Sequence, residues 1–75
     1  MIKIRFVKQG DYWFIERKTW LKWKSIGYFM SSSGGSAWIK VCERKKKKAL
    51  NKALKILKLR KDTTKIIEYP TIKIY

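Results

Sequence analysis

Only one stretch of this chain carries the apolar spacing of a helix, and that fact sets the architecture. Ala49, Leu50, Ala53, Leu54 and Leu57 recur at the intervals that line one side of an α-helix, within a segment (residues 45–60) of good helix formers. The segments outside it read as strands or turns. With 75 residues the chain supports one domain, spanning 1–75, and one small core. One helix must therefore cover one face of one sheet. The expected fold is α+β, an antiparallel sheet of four to five strands packed on one face by a single helix over about 44–60.

The strand signals are of two kinds. Residues 2–7 alternate, with Ile2, Ile4 and Phe6 on one side and Lys3 and Arg5 on the other, as in a strand with one buried face. Gln9-Gly10-Asp11 then marks a turn. Residues 12–30 are rich in aromatic and β-branched types but too long for one strand. A hairpin turning at Thr19-Trp20-Leu21-Lys22 divides them. In that register Trp13, Ile15, Ile26 and Tyr28 share one face, and Tyr12, Phe14, Trp23 and Phe29 the other. The run SSSGGS at 31–36 reads as a flexible connection. Residues 37–42 fit either a further strand or the first turns of the helix. A single helix from 37 to 60 would set Lys45 and Lys46 inside its own apolar stripe, which favours a strand to Cys42 and a helix starting near Glu43. After Asp62-Thr63-Thr64 ends the helix, 64–69 and 71–75 read as strand, with Pro70 an interruption suited to an edge.

Charge decides which partners to expect. Sixteen Lys and four Arg face five acids, for a net charge of +15. A body this small with that field attracts polyanions. A lysine-rich genome would produce the same bias and leave the physical consequence unchanged. Catalysis is not expected. There is no His, the acids Asp11, Glu16, Glu43, Asp62 and Glu68 form no pair in sequence, and the single Cys42 has no His to activate it. With neither CxxC nor His ligands there is no metal site to expect, and no other cofactor is implied. The Ser-Gly run lacks the GK[ST] ending of a phosphate-binding loop. One cysteine fits a reducing compartment, the opening MIKIRFVKQG has no leader pattern, and no apolar run is long enough to span a bilayer. The expected setting is cytoplasmic, or inside a virion.

Two features carry the functional expectation. Arg44-Lys45-Lys46-Lys47-Lys48 falls at the expected helix start, where positive charge opposes the helix dipole at a cost of about 0.3–1 kcal/mol per well-placed charge. A bound phosphate would relieve that repulsion and accept the free backbone N–H groups. The contrasting reading is a solvated lysine face. Lys52 and Lys55 extend the run along the helix. The second feature is eleven aromatic residues in a chain whose one helix covers one sheet face. Some of them must lie on the open face or its rim. Trp20 and Trp23, near the hairpin tip with Arg17, Lys22 and Lys24, form the candidate stacking platform beside phosphate-binding charges. Core filling or a dimer interface is the other use for such side chains. An amphipathic basic helix could also lie on anionic lipid. Here its Ala/Leu stripe is needed for the core, so a membrane partner is not expected.

The segment Trp38-Ile39-Lys40-Val41-Cys42 followed by ERKKKKALNKAL resembles the last strand and helix of AP2-like DNA-binding domains of phage integrases. The resemblance spans at most residues 12–57. It implies a three-stranded sheet backed by a helix, with duplex DNA bound by the sheet. That family usually carries acids near the helix start where this chain has lysines, and this chain adds strands at both ends. The phrase KTWLKWKSIGYF is similar to small phage proteins from gut Bacteroidales, which usually have Gly where Leu21 stands. Both resemblances imply a phage or mobile-element origin. The expected function is DNA or RNA binding through the lysine-rich helix and the aromatic, basic sheet. The alternative is a protein-interaction role against an acidic surface of a host or virion protein, with homodimerisation through free strand edges left open.

Overall fold

The computed structural model describes residues 1–74. It contains six strands and one helix: β1 (Ile2–Gln9), β2 (Tyr12–Lys18), β3 (Trp23–Ser25), β4 (Gly27–Ser32), β5 (Gly35–Lys40), α1 (Lys46–Ile56) and β6 (Ile66–Ile74). The expected α+β architecture, one helix against a sheet, is present. The sheet is mixed rather than wholly antiparallel. Its order is β3-β2-β1-β6, with β1 and β6 parallel, and β4 and β5 form a separate two-stranded sheet. The parallel pairing follows from connectivity, because the chain between β1 and β6 includes the helix that crosses the sheet face.

β1 is the centre of this arrangement. Its alternation places Ile2, Ile4 and Phe6 on the helix side, all buried. Ile15 of β2 stands opposite Phe6, and Trp13 meets the Phe6 ring edge-on at a 6.0 Å centroid distance. The helix rests on this layer through Ala49 and Ala53, both with essentially no exposed surface, and Leu50, Ile56 and Leu57 close the flanks. At β6 the register shifts between the partners of Arg5 and Val7, where Pro70 lies. Pro70 thus sits on an edge strand at an irregularity, where its missing N–H costs no ladder bond. The expected strand over 71–75 is present to Ile74, and Tyr75 lies outside the described residues.

Both hairpin turns of the β1-β2-β3 meander match their sequence signals. Gly10 takes φ +60° in the two-residue link between the paired Gln9 and Tyr12. At the second turn the Thr19 N–H and hydroxyl both donate to the Lys22 carbonyl. Trp13 and Ile15 share one face and Tyr12, Phe14 and Trp23 the other, as expected, with the first face toward the helix, whereas Tyr28 and Phe29 leave the large sheet with β4 and Ile26 is buried at a corner. There the Ile26 N–H donates to Ile15 and its carbonyl accepts from Val41. The chain then leaves the large sheet, runs out as β4, and returns as β5. Residues 37–40 are thus strand, not helix.

Two further expectations need correction. The 31–36 run is not a loose connection. Ser31 pairs with Ser36 and Ser32 with Gly35, so only Ser33 and Gly34 form the turn. Serines suit a solvated hairpin end as well as a linker, and composition alone does not separate the two. The helix is also shorter than 44–60. Its start is delayed by the Trp13–Glu43 bridge, which holds the preceding segment extended along β2. Its end is a Schellman cap: the Leu59 N–H donates to the Leu54 carbonyl, the Lys58 N–H to Lys55, and Lys58 takes φ +57°.

A lysine at that left-handed position carries a steric cost that glycine lacks. Lys58→Gly should therefore stabilise the fold by about 1 kcal/mol. In a domain of this size that raises the thermal midpoint by roughly 4–8 °C, measurable by circular dichroism. An unchanged or lower midpoint would contradict the cap assignment.

Candidate nucleic-acid interface

The few acids are almost all engaged. Arg5 Nε donates to Glu16 at 2.6 Å across β1 and β2. Lys46 reaches Glu68 of β6 at 2.9 Å, Lys52 reaches Glu43 at 3.5 Å, and Arg60 reaches Asp62 at 3.3 Å. Four of the twenty cations are so paired, and sixteen have no acidic partner among the described residues. The two pairs on α1 each tie it to a neighbouring segment. Being half-exposed, they contribute little to stability by themselves.

This accounting divides the lysines expected to contact phosphate. Lys46 and Lys52 are engaged with carboxylates and also lie over aromatic rings, Lys46 4.9 Å from Phe6 and Lys52 5.3 Å from Tyr28. Lys45, Lys47, Lys48 and Lys55 are exposed and free of acidic partners among the described residues. Lys48, Lys52 and Lys55 follow one face of the helix. The helix begins with Lys45 as N-cap, in an extended conformation with no side-chain cap bond, and its first turn contains no acid. The expected conflict between lysine charge and helix dipole is therefore present, and no side chain of its own caps this end.

The aromatics separate as well. Trp20 sits in the β2–β3 turn with its side chain 91% exposed, beside the exposed Lys22. Trp23 is half-buried on the sheet face opposite the helix. The Arg5 guanidinium lies 4.5 Å from its ring centre and Tyr69 meets it edge-on at 5.1 Å. That ring is held by its own protein, whereas Trp20 is free. Sequence reasoning passed over Trp38. On β5 it lies across from Phe29, and both are exposed. The Trp38 indole is seated on Gly27, where a Cβ would come within 2.6 Å of the ring. A glycine between Ile26 and Tyr28, inside a strand pattern, was the signal for such a close approach.

Trp38 forms one wall of a cleft of about 390 Å³, bounded also by Arg17, Lys24, Ile26 and Leu57. Arg17 and Lys24 are direct cross-strand partners on β2 and β3, both exposed. Like charges facing each other across a ladder are destabilising, and neither has an acidic partner among the described residues. Leu57 is the C-cap of α1, so the helix ends at this cleft. The expected basic residues thus occupy two adjoining zones, the outer helix face and the cleft.

Among the described residues no cluster of His, Cys, Asp and Glu could hold a metal ion, and Cys42 is free and exposed. No helix among them is long and apolar enough to cross a membrane. No family model, curated protein or solved structure matches the chain.

The uncapped helix start generates a paired expectation. Lys45→Asp supplies an N-cap acceptor and a favourable charge, and should stabilise the fold by about 1 kcal/mol in denaturant titration. The same change should weaken binding of an oligonucleotide. Loss of stability would contradict the cap and dipole assignment, and unchanged affinity would show that this helix end is not a phosphate contact.

Proposed function

We propose that the protein binds nucleic acid through the free lysines of α1 and the basic, aromatic cleft at its end, and performs no chemistry on what it binds. The supporting observation is the distribution of unpaired charge. Lys45, Lys47, Lys48 and Lys55 on the helix, and Arg17, Lys22 and Lys24 at the β2–β3 end, remain without acids among the described residues, and exposed Trp20 and Trp38 stand among the latter. Phosphates would neutralise the cations, and bases would stack on the rings. With four of its five carboxylates engaged in ion pairs and no histidine, the chain has little to offer as a general acid or base. The resemblance to AP2-like domains adds duplex DNA to the candidate targets and a phage or mobile element as the source. The setting would then be host cytoplasm or a virion.

A second reading has its own support. The β4–β5 hairpin exposes Phe29, Met30 and Trp38, apolar surface that would suit a protein partner with an acidic rim, or a second copy of the chain. Salt weakens both kinds of complex, so competition separates them. Heparin or DNA should displace a nucleic-acid binder from its target, whereas a protein partner should survive nuclease treatment in a pull-down.

If six to eight phosphates of duplex DNA are neutralised, the logarithm of the binding constant should fall against the logarithm of salt concentration with a slope of roughly −5 to −7. Fluorescence anisotropy between low and physiological salt measures it. A slope shallower than about −2 would contradict phosphate neutralisation on this scale.

A further inference from the structure

We infer that the cleft between β3, the β4–β5 hairpin and the end of α1 holds one unpaired nucleotide of a single strand, its base on Trp38 and its phosphate between Arg17 and Lys24. The inference rests on the nucleic-acid reading above and adds to it the strandedness of the target and the position of the base.

Three observations converge on this site. The first is a ring that is already positioned. One side of the Trp38 indole rests on Gly27, where any side chain would displace it, yet 46% of the residue remains exposed. A platform fixed by backbone loses little freedom when a base stacks on it. The second is an unrelieved charge pair. Arg17 and Lys24 are held opposite each other by the β2–β3 ladder and gain an attractive partner only when an anion lies between them. The third is size and composition. The cleft, about 390 Å³, falls in the lower part of the range of small-ligand sites, about 300–1,000 Å³. Its remaining walls include Ile26 and Leu57, apolar surface suited to a sugar or base edge. Stacking on a side chain needs a base that is not already stacked in a duplex. The geometry therefore favours single-stranded segments, loops or ends. Lys55, on the last turn of the helix that ends here, is placed for an adjacent phosphate.

The test uses the full chain and four fluorescein-labelled or competing ligands: a thymidine ten-mer, the same ten-mer with abasic sites, a self-complementary duplex, and thymidine monophosphate. The thymidine ten-mer should bind more tightly than the abasic strand and the duplex, and far more tightly than the mononucleotide. Trp38→Ala should weaken ten-mer binding between about 5-fold and about 100-fold, the range for losing one stacked base. Arg17→Gln with Lys24→Gln should also weaken it. That double change should make the salt slope shallower by about 0.7, the loss of one single-strand phosphate. Because it removes a like-charge pair from an exposed surface, the double variant should keep its thermal midpoint, so lost affinity cannot come from unfolding. Equal affinity for normal and abasic strands would overturn the stacking, and monophosphate binding as tight as the ten-mer would overturn the strand. If the ten-mer binds but neither variant changes its affinity, this site is wrong while nucleic-acid binding stands. If no nucleic acid binds, both fall together.

Discussion

The packing of the two alanines of α1 onto the apolar layer shared by β1 and β2 is the interaction from which the remaining geometry follows. Ile2, Ile4 and Phe6 of β1 and Ile15 of β2 present a bulky layer, and Ala49 and Ala53 let the helix backbone come close to it on the β2 side. A helix seated this closely crosses one face of the sheet and returns the chain parallel to β1 as β6. It leaves the opposite face uncovered, so that Trp23, Arg5, Glu16 and Tyr69 pack with one another there. It also fixes the end of the helix beside the β2–β3 turn, and so forms the cleft. In a chain of 75 residues no second core exists to hold the arms, and the β4–β5 hairpin stands out with Phe29 and Trp38 exposed.

Charge acts on this frame in a consistent way. Four of the five acids bind a cation of the chain itself, and two of these pairs anchor α1 to β6 and to the segment after β5. The rest of the basic surface is left to repel itself. The helix starts with lysines where an acid would be favourable, and β2 and β3 oppose Arg17 to Lys24. Each arrangement costs a fraction of a kcal/mol to about 1 kcal/mol in the free protein and is relieved by an anion. A small domain can carry a few such costs but not many, given total stabilities of about 5–15 kcal/mol. The two arrangements lie at opposite ends of α1, the lysines at its start and the Arg17–Lys24 pair at the cleft where it ends, and the exposed Lys48 and Lys55 lie along the helix between them.

Much of this was legible in the sequence, and what was not has physical causes. The alternation in β1, the turns at Gly10 and at 19–22, the edge position of Pro70 and the stripe of α1 all follow local periodicity, which short-range chemistry fixes. The direction of β6 depends on long-range pairing, and nothing in its own residues encodes it. Helix length was overestimated because Arg44 and Lys58 have good propensity, while the Glu43 bridge and the left-handed Lys58 are imposed by tertiary context. At the site, the helix lysines and the Arg17, Lys22 and Lys24 group were visible as charge, but which lysines would be engaged by Glu43 and Glu68 was not. Trp23 resembled Trp20 in sequence and differs because Arg5 and Tyr69 reach it across the sheet. In sequence, Trp38 belongs to a segment that fits either a strand or the first turns of the helix, and nothing there marks its ring. Its seating depends on Gly27, eleven positions earlier, which strand pairing brings beneath it.

The central claim is that unpaired charge and exposed aromatic rings meet at one end of the molecule to bind nucleic acid. Amide and indole NMR shifts of the whole protein, followed during titration with a short thymidine strand, test it most directly. The account predicts shifts concentrated at Arg17, Lys24, Gly27, Leu57 and the Trp38 indole, extending along Lys48 and Lys55, with Trp23 and β6 little changed. Shifts spread evenly over every lysine, or none at all, would contradict it.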